Sequence, residues 1–282
     1  MLYKKYKNLF NNRILSTGFS PRFPDYAEKY KFSLLDHALS YAPKNCFLDI
    51  GAGSGRLSVL LISNYFTKGI ALEVVPDKSM WNYILHQHKR LILMPGLLQE
   101  MLPIFIKDNI KVDFIILSEL FEHIPLKDID TFIINLKQIL SDNGIIYLTT
   151  PNSIVQGSAE KSSRWYEKQP YGHHKHYNLK ELESLFSNYG FKIDWYSFES
   201  GYIKRTIYNK LFYRISRLDI KLLESKKLPL IIRKIYKAVS YPIILPIKLF
   251  FLILAQLVYW CEQKFNSENN SETIVLQISK KQ

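Results

Sequence analysis

Several features that define common classes of protein are missing from this chain of 282 residues. Its two cysteines, Cys46 and Cys261, lie far apart and lack the spacing of metal ligands. A disulfide framework and a cysteine-based zinc site are therefore excluded, and a reducing compartment is expected. Lysines interrupt the N-terminal residues where a secretory signal needs an apolar core, so no cleavable signal is expected. Length and apolar content suit one large α/β domain.

A long uninterrupted apolar run is also missing. The most apolar stretch runs from Leu249 to Cys261, and Pro246 and Lys248 stand directly before it. At ~1.5 Å per residue this stretch gives roughly 20 Å of helix, whereas the hydrocarbon core of a bilayer is ~30 Å thick. The chain must also return to one side, since residues 273–279 are expected to complete the sheet that begins near residue 47. We therefore expect this stretch to lie on a surface rather than to cross a membrane.

Acidic residues are scarce, and the formal net charge is +13. Between positions 203 and 240 there are eleven cations and two acids, which supply +9 of that charge. A basic amphipathic helix followed by an apolar one is typical of a membrane-surface element. We expect a helical insertion at 203–266 in a domain formed by 1–202 plus 267–282, on the cytoplasmic face of a membrane. Three alternatives stay open, namely that the basic face binds RNA, that the apolar helix packs on the enzyme's own core, or that it packs on a second subunit to form a homodimer.

A glycine-rich turn is the most informative feature that is present. Residues 47–55 read Phe-Leu-Asp-Ile-Gly-Ala-Gly-Ser-Gly, an apolar strand that turns into the helix beginning at Arg56. Glycines allow a positive φ and let a ligand approach the backbone closely. The free N–H groups of the following helix face the same loop. Arg56 stands where a dinucleotide fold needs a further glycine, so the loop favours another nucleoside-type cofactor.

The rest of the chain supplies the strands of a parallel sheet. The candidates are runs of apolar and β-branched residues at 69–75, 91–96, 112–118 and 144–152, then a helix from 179 and strands at 191–198 and 273–279. Such runs suit strands that are buried on both faces.

This ordered series resembles the class I S-adenosylmethionine-dependent methyltransferases, with residues 48–58 as their first motif. The resemblance implies an α/β fold, a Rossmann-like sheet of seven strands with helices on both faces. In the family the last two strands normally form a hairpin, so residues 203–266 are expected to be a helical insertion before the last strand. It implies S-adenosylmethionine as the cofactor, with Glu73 accepting hydrogen bonds from the ribose hydroxyls. The cofactor-binding residues implied are Asp49, Gly51, Ala52, Gly53, Glu73 and Ser118.

An acidic motif follows the fourth strand. Glu119, Glu122 and His123 have the spacing of one helical face, at the sheet end where α/β enzymes bind ligands. The triplet is similar to that of ubiquinone-biosynthesis O-methyltransferases and small-RNA 2′-O-methyltransferases. The likeness implies that Glu119, Glu122 and His123 hold a divalent cation such as Mg²⁺. In the RNA enzymes a later histidine adds a ligand to the cation, and the likeness implies that His174 or His176 corresponds to it.

A metal-free reading of the same motif stays open, in which His123 closes the pocket or serves as the base. Glu122 and His123 are expected to be catalytic, together with His176 from the histidine group at 173–176.

These patterns together predict a methyltransferase that modifies a hydroxyl on a lipid-like, quinone-like or lipid-linked glycan molecule at a membrane surface. Two alternatives remain, an RNA 2′-O-methyltransferase and an enzyme of a soluble small molecule whose apolar helix forms a dimer interface.

Overall fold

The computed structural model describes residues 26–157, 172–201 and 263–281, together with positions 250, 253, 254, 257, 258, 260 and 261. The basic segment at 203–240 lies outside the described residues, so its predicted helix is not assessed. Within the described part, the chain alternates strands and helices around one sheet.

Seven strands form a single mixed sheet. They are β1 (Cys46–Ile50), β2 (Lys68–Glu73), β3 (Leu91–Pro95), β4 (Val112–Ser118), β5 (Leu140–Pro151), β6 (Phe191–Gly201) and β7 (Ser271–Lys280). Their spatial order is β3-β2-β1-β4-β5-β7-β6. Neighbours from β3 to β5 are parallel, while β7 pairs antiparallel with both β5 and β6. The predicted seven-stranded Rossmann-like sheet is confirmed, including the pairing of the last two strands.

Helices cover both faces of the sheet. They are α1 (Tyr26–Tyr41), α2 (Arg56–Asn64), α3 (Lys78–Gln87), α4 (Leu98–Lys107), α5 (Ile129–Ile139), α6 (Ser153–Gln156) and α7 (Leu179–Asn188). Helices α1, α2 and α3 share one apolar core, whereas α4, α5 and α7 share the other. Adjacent residues of one strand enter opposite cores, as Phe47 and Leu48 do. This alternation explains why the strands read as continuous apolar runs.

The strand bounds match the sequence patterns closely, with one exception. Strand β4 has the predicted limits, but β5 begins at Leu140, four residues before the predicted start at Gly144. Because α5 leads directly into it, polar residues of the expected loop extend the strand.

The apolar stretch near the C-terminus is helical at the described positions from 250 to 263. Among the residues that the structure describes, no helix has both the length and the apolar character that a membrane span requires.

A buried carboxylate holds the amino end of the sheet. Asp113 accepts hydrogen bonds from the backbone N–H groups of Asn45 and Cys46, at 3.0 and 3.1 Å, and from Ser141 Oγ at 2.9 Å. We expect Asp113→Ala to lower the free energy of unfolding by about 2 kcal/mol, because two partly buried N–H donors at the start of β1 and the Ser141 hydroxyl lose their acceptor. Chemical denaturation measures this. Asp142→Ala is the control, since Asp142 is 98% exposed and surface ion pairs contribute little. Equal effects of the two substitutions would contradict this account.

Candidate active site

The glycine loop connects β1 to α2 and exposes its backbone on one side. Gly51, Gly53 and Gly55 have φ values of +75°, +54° and +75°, in the region that glycine adopts most readily. The N–H groups of Gly51 and Ala52 both donate to Leu72 O at the end of β2. A Cβ built on Gly53 would meet no protein atom within 4 Å. The open side of Gly53 is therefore a cradle where a ligand can approach the backbone, which fits a bound cofactor.

Glu73 lies against this cradle. Its carboxylate accepts hydrogen bonds from the N–H of Gly53 at 2.7 Å and from the N–H of Val75 at 3.1 Å. The side chain is partly exposed, so its oxygens line the cleft beside the loop. Trp81 of α3 holds the opposite side, because its indole Nε1 donates to Gly53 O at 2.9 Å.

Asp49 lies beneath the loop and is 3% exposed. Its carboxylate accepts a hydrogen bond from Ser58 Oγ of α2 at 2.5 Å. Burial raises the pKa of Asp49 to about 6, and the nearby charge of Glu73 adds to the effect, while the Ser58 hydrogen bond opposes it. A buried carboxylate that costs stability in its charged form is typical of a functional site.

The residues after β4 adjoin the loop directly. Ile50 of β1 pairs with Leu117 of β4, and a Cβ on Gly51 would lie 3.0 Å from Leu120 Cδ1. The parallel pairing thus brings the cradle and the acidic motif to the same end of the sheet.

The spacing of Glu119, Glu122 and His123 predicted that they share one helical face, but the structure does not place them on one helix. Glu119 has a φ of +52°, outside any helix, and its N–H donates to Thr149 O and Thr149 Oγ1 at 3.0 and 3.1 Å. A short 3₁₀ turn, Phe121–His123, begins only after it. Glu119 and Ser118 are exposed at the sheet end, whereas Glu122 is 1% exposed. Glu119 therefore does not share a helical face with Glu122.

Glu122 is at the centre of a polar cluster. Its Oε2 accepts a hydrogen bond from Thr150 Oγ1 at 3.1 Å. Its Oε1 lies 4.0 Å from His123 Nε2 and 4.0 Å from His173 Nε2. Burial, together with the nearby charge of Glu119, raises the pKa of Glu122 to about 8.

The histidine loop joins this cluster through its backbone. Glu122 O accepts a hydrogen bond from the N–H of His174 at 2.7 Å, which holds His173 beside the carboxylate. His174 itself is exposed. His176 is 3% exposed and lies behind His173, with its Nε2 2.6 Å from His173 Nδ1. Both ring nitrogens of His176 have protein partners, so it contacts His173 rather than the open cleft, and its catalytic role stays a prediction.

Hydrogen bonds to carbonyls allow the tautomers to be inferred. A carbonyl accepts only, so His176 Nδ1 donates to Gly157 O at 2.9 Å and His123 Nδ1 donates to Gly172 O at 3.3 Å. A neutral His176 then accepts at Nε2 from His173 Nδ1. Burial lowers the pKa of His173 to about 4 and also lowers that of His176, which favours neutral rings. In neutral His123 and His173 it is Nε2, the atom facing Glu122, that carries no proton.

The donor set differs from the predicted metal site. In the described part of the chain, one group of ligand atoms lies within 4.8 Å of one another, and it comprises Glu122, His123 and His173. Glu119 is not in this group, and His173 takes its place. Two imidazole nitrogens and one carboxylate oxygen do not fit Mg²⁺, which prefers an octahedron of oxygen ligands. The expectation of Mg²⁺ is therefore not supported.

Several functional contacts were missed by sequence reasoning. Ser58, Trp81 and Thr150 hold Asp49, Gly53 and Glu122 respectively, but nothing in their local sequence marks them. His173 was within the noted histidine group, yet spacing alone does not distinguish it from His174 and His176.

Comparison with known proteins agrees with this geometry. A family model described as a methyltransferase domain matches residues 24–194, more than half of the chain. No curated protein matches the chain in sequence.

Three solved structures share the fold over nearly the whole chain. The cyclopropane synthase MmaA2 of Mycobacterium tuberculosis is 14% identical, with a TM-score of 0.56, and covers 98% of this chain and 94% of its own. An S-adenosylmethionine-dependent methyltransferase of Clostridium acetobutylicum is 11% identical, with a TM-score of 0.52, and covers 100% of both chains. Another from Archaeoglobus fulgidus is 13% identical, with a TM-score of 0.50, and covers 99% of both chains.

The family match, the strand order and the glycine loop define one class of protein. The chain belongs to the methyltransferase-domain family and is a class I methyltransferase with S-adenosylmethionine as its cofactor.

Filling the cradle tests the cofactor site. We expect Gly53→Ala to weaken binding of S-adenosylhomocysteine at least tenfold by calorimetry, because the added methyl occupies the open side of the loop. The backbone strain at φ +54° costs roughly 1 kcal/mol of stability. Gly190→Ala is the control for strain alone, since Gly190 also has a positive φ and a Cβ there meets the flexible end of Lys137. Equal affinity in both variants would contradict a cofactor at Gly53.

The pKa of Asp49 predicts a pH dependence of stability. Its folded-state pKa of about 6 exceeds the ordinary value of 3.8, so the folded protein loses stability as the pH rises through 6. We expect Asp49→Asn to remove this loss. Without cofactor, the variant is then more stable than wild type at pH 8 by up to about 3 kcal/mol, whereas at pH 4 it is not more stable. Urea unfolding at both pH values measures the difference. Asp142→Asn, at an exposed position, should leave the pH profile unchanged. If the stability of Asp49→Asn depends on pH as that of wild type does, the raised pKa does not belong to Asp49.

Proposed function

We propose that this enzyme transfers the methyl group of S-adenosylmethionine to a hydroxyl oxygen. The acceptor proposed is lipid-like, quinone-like or a lipid-linked glycan, used at a membrane surface. The observation that carries the proposal is the cluster of Glu122, His123 and His173 at the end of the sheet that carries the glycine loop.

The cofactor residues support a defined orientation. Glu73 offers two carboxylate oxygens beside the loop, which suits the two hydroxyls of a ribose. Gly51, Ala52 and Gly53 leave room for the methionine part close to the backbone, above Asp49. Ser118 ends β4 on the other side of the cradle. With the nucleoside held at this end of the sheet, the methyl group faces the residues after β4.

His123 is the best placed base. Its side chain is 27% exposed, whereas that of His173 is 7% exposed, so an acceptor reaches His123 more readily. The carbonyl of Gly172 holds the proton on Nδ1 and leaves Nε2 to accept one. The acceptor O–H gives its proton to His123 Nε2 as the oxygen lone pair attacks the methyl carbon. The C–S bond breaks, and S-adenosylhomocysteine leaves as a neutral thioether.

The other cluster members position this base. Glu122 Oε1 lies 4.0 Å from Nε2 of both His123 and His173, and His176 orients His173 from behind. Glu122 Oε1 lies 4.0 Å from His123 Nε2, and in its ionised form this carboxylate stabilises the imidazolium formed when the proton arrives.

The presence of a base favours oxygen over nitrogen as the acceptor atom. A hydroxyl is a poor nucleophile until its proton is removed, whereas a neutral amine attacks through an existing lone pair. The proposed transfer does not use Mg²⁺, since the donor set does not fit that ion. Two imidazoles and one carboxylate are the donors that Mn²⁺, Fe²⁺ or Zn²⁺ prefer, so these ions are the ones to include in a binding test.

Methyl transfer from labelled S-adenosylmethionine tests the proposal. Purified enzyme is incubated with a membrane-lipid extract, with total RNA and with polar metabolites, and the labelled fraction is recorded. We expect label in the lipid fraction, insensitive to added Mg²⁺. His123→Gln should lower the rate by roughly 10²- to 10⁴-fold, the usual contribution of a general base, while S-adenosylhomocysteine binding stays unchanged.

His86→Gln is the matched control, since His86 is an exposed histidine of α3. Wild-type rates in His123→Gln would refute the assigned base. Label confined to RNA, with salt-dependent binding, would favour the RNA enzyme instead.

A further inference from the structure

An exposed apolar stripe lies on the helix that precedes β7. Phe250, Ile253, Leu257 and Trp260 are 62%, 52%, 54% and 50% exposed. Their spacing of three, four and three residues places them on one side of the helix. We infer that this stripe docks the enzyme on the surface of an anionic lipid bilayer, with its catalytic end facing the membrane.

The stripe is distinct from the packed side of the same helix. Leu254 and Val258 are partly buried, so the helix already has one face directed at protein. Phe265, just beyond the helix, is 73% exposed and extends the apolar surface. Single exposed apolar side chains are ordinary, but a contiguous group of large ones marks an interaction surface.

The topology places this stripe at the catalytic end of the sheet. Strand β6 ends at Gly201 and β7 begins at Ser271, where β7 lies beside the carboxyl end of β5. Asn266 Nδ2 donates to Phe198 O at 2.8 Å, which ties the end of the helix to β6. Since β1, β4 and β5 end on the same side, the docking helix is attached at the end that carries the glycine loop and Glu122.

Charge favours lipid as the occupant. Lys264 Nζ lies 3.8 Å from the centre of the Trp260 ring, and a tryptophan next to a lysine is typical of the membrane interface. The sequence places a further +9 of charge at positions 203–240, outside the described residues. An apolar face combined with basic residues provides the two signals that stable attachment to an anionic surface requires.

This orientation rests on the proposed function and narrows its acceptor. An enzyme docked through this end takes an acceptor from the adjacent leaflet, so the acceptor carries its hydroxyl in the head-group region and an apolar chain in the bilayer. The apolar chain need not leave the lipid for the reaction to occur.

Flotation of the full-length protein with vesicles tests the docking surface. We use phosphatidylcholine vesicles with and without phosphatidylglycerol, at low and high salt. We expect binding to the anionic vesicles at low salt, weakened by salt. Leu257→Glu should weaken it at least tenfold, because a charge replaces an inserted apolar side chain. Ile134→Glu is the matched control, since Ile134 is an exposed apolar residue of α5, and it should bind like wild type.

S-adenosylhomocysteine binding by the same preparations separates the two proposals. Retained cofactor binding in Leu257→Glu with lost flotation supports the docking surface and shows that the variant is folded. Wild-type flotation of Leu257→Glu would overturn it. So would a dimer in ultracentrifugation that Leu257→Glu dissociates, since a second copy would then cover the stripe. If the wild-type protein floats with the vesicles but methylates no hydroxyl, the proposed function is refuted while the docking surface stands.

Discussion

The parallel pairing of β1 with β4 is the constraint on which the site depends. Ile50 opposite Leu117 brings Gly51 against Leu120, so the cofactor cradle and the acidic motif share one edge of the sheet. The pairing itself is stabilised by burial on both faces, because helices cover the strands from each side. Any loss of this register would move the cradle away from Glu122, while each loop alone would remain intact.

Glu122 connects that edge to the rest of the catalytic end. Its side chain meets Thr150 of β5 and two histidines, and its carbonyl holds the histidine loop through His174 N–H. A carboxyl this deeply buried is costly when charged, and its raised pKa is the consequence. A buried group that destabilises the fold when charged is typical of a functional site.

Much of the fold could be predicted because buried parallel strands leave a strong local signal. The strands at 112–118 and 191–198 could be predicted from their own residues without knowing which strands they pair with. The conformation of the glycine loop follows likewise from its three glycines. The site was less predictable. The positive φ of Glu119 depends on the tertiary contact with Thr149, and the choice of His173 over its neighbours depends on where Glu122 O lies. Neither contact is local in sequence, so spacing grouped Glu119 with Glu122 and could not select His173 from the histidines at 173–176.

The central claim is that the glycine loop presents a reactive methyl group to the Glu122 cluster. The most direct measurement is a crystal structure of the enzyme with S-adenosylhomocysteine bound. The account predicts the ribose hydroxyls at Glu73, the methionine part above Gly53 and the sulfur atom facing the side where Glu122, His123 and His173 converge. A nucleoside bound elsewhere, or a sulfur atom directed away from that cluster, would contradict it.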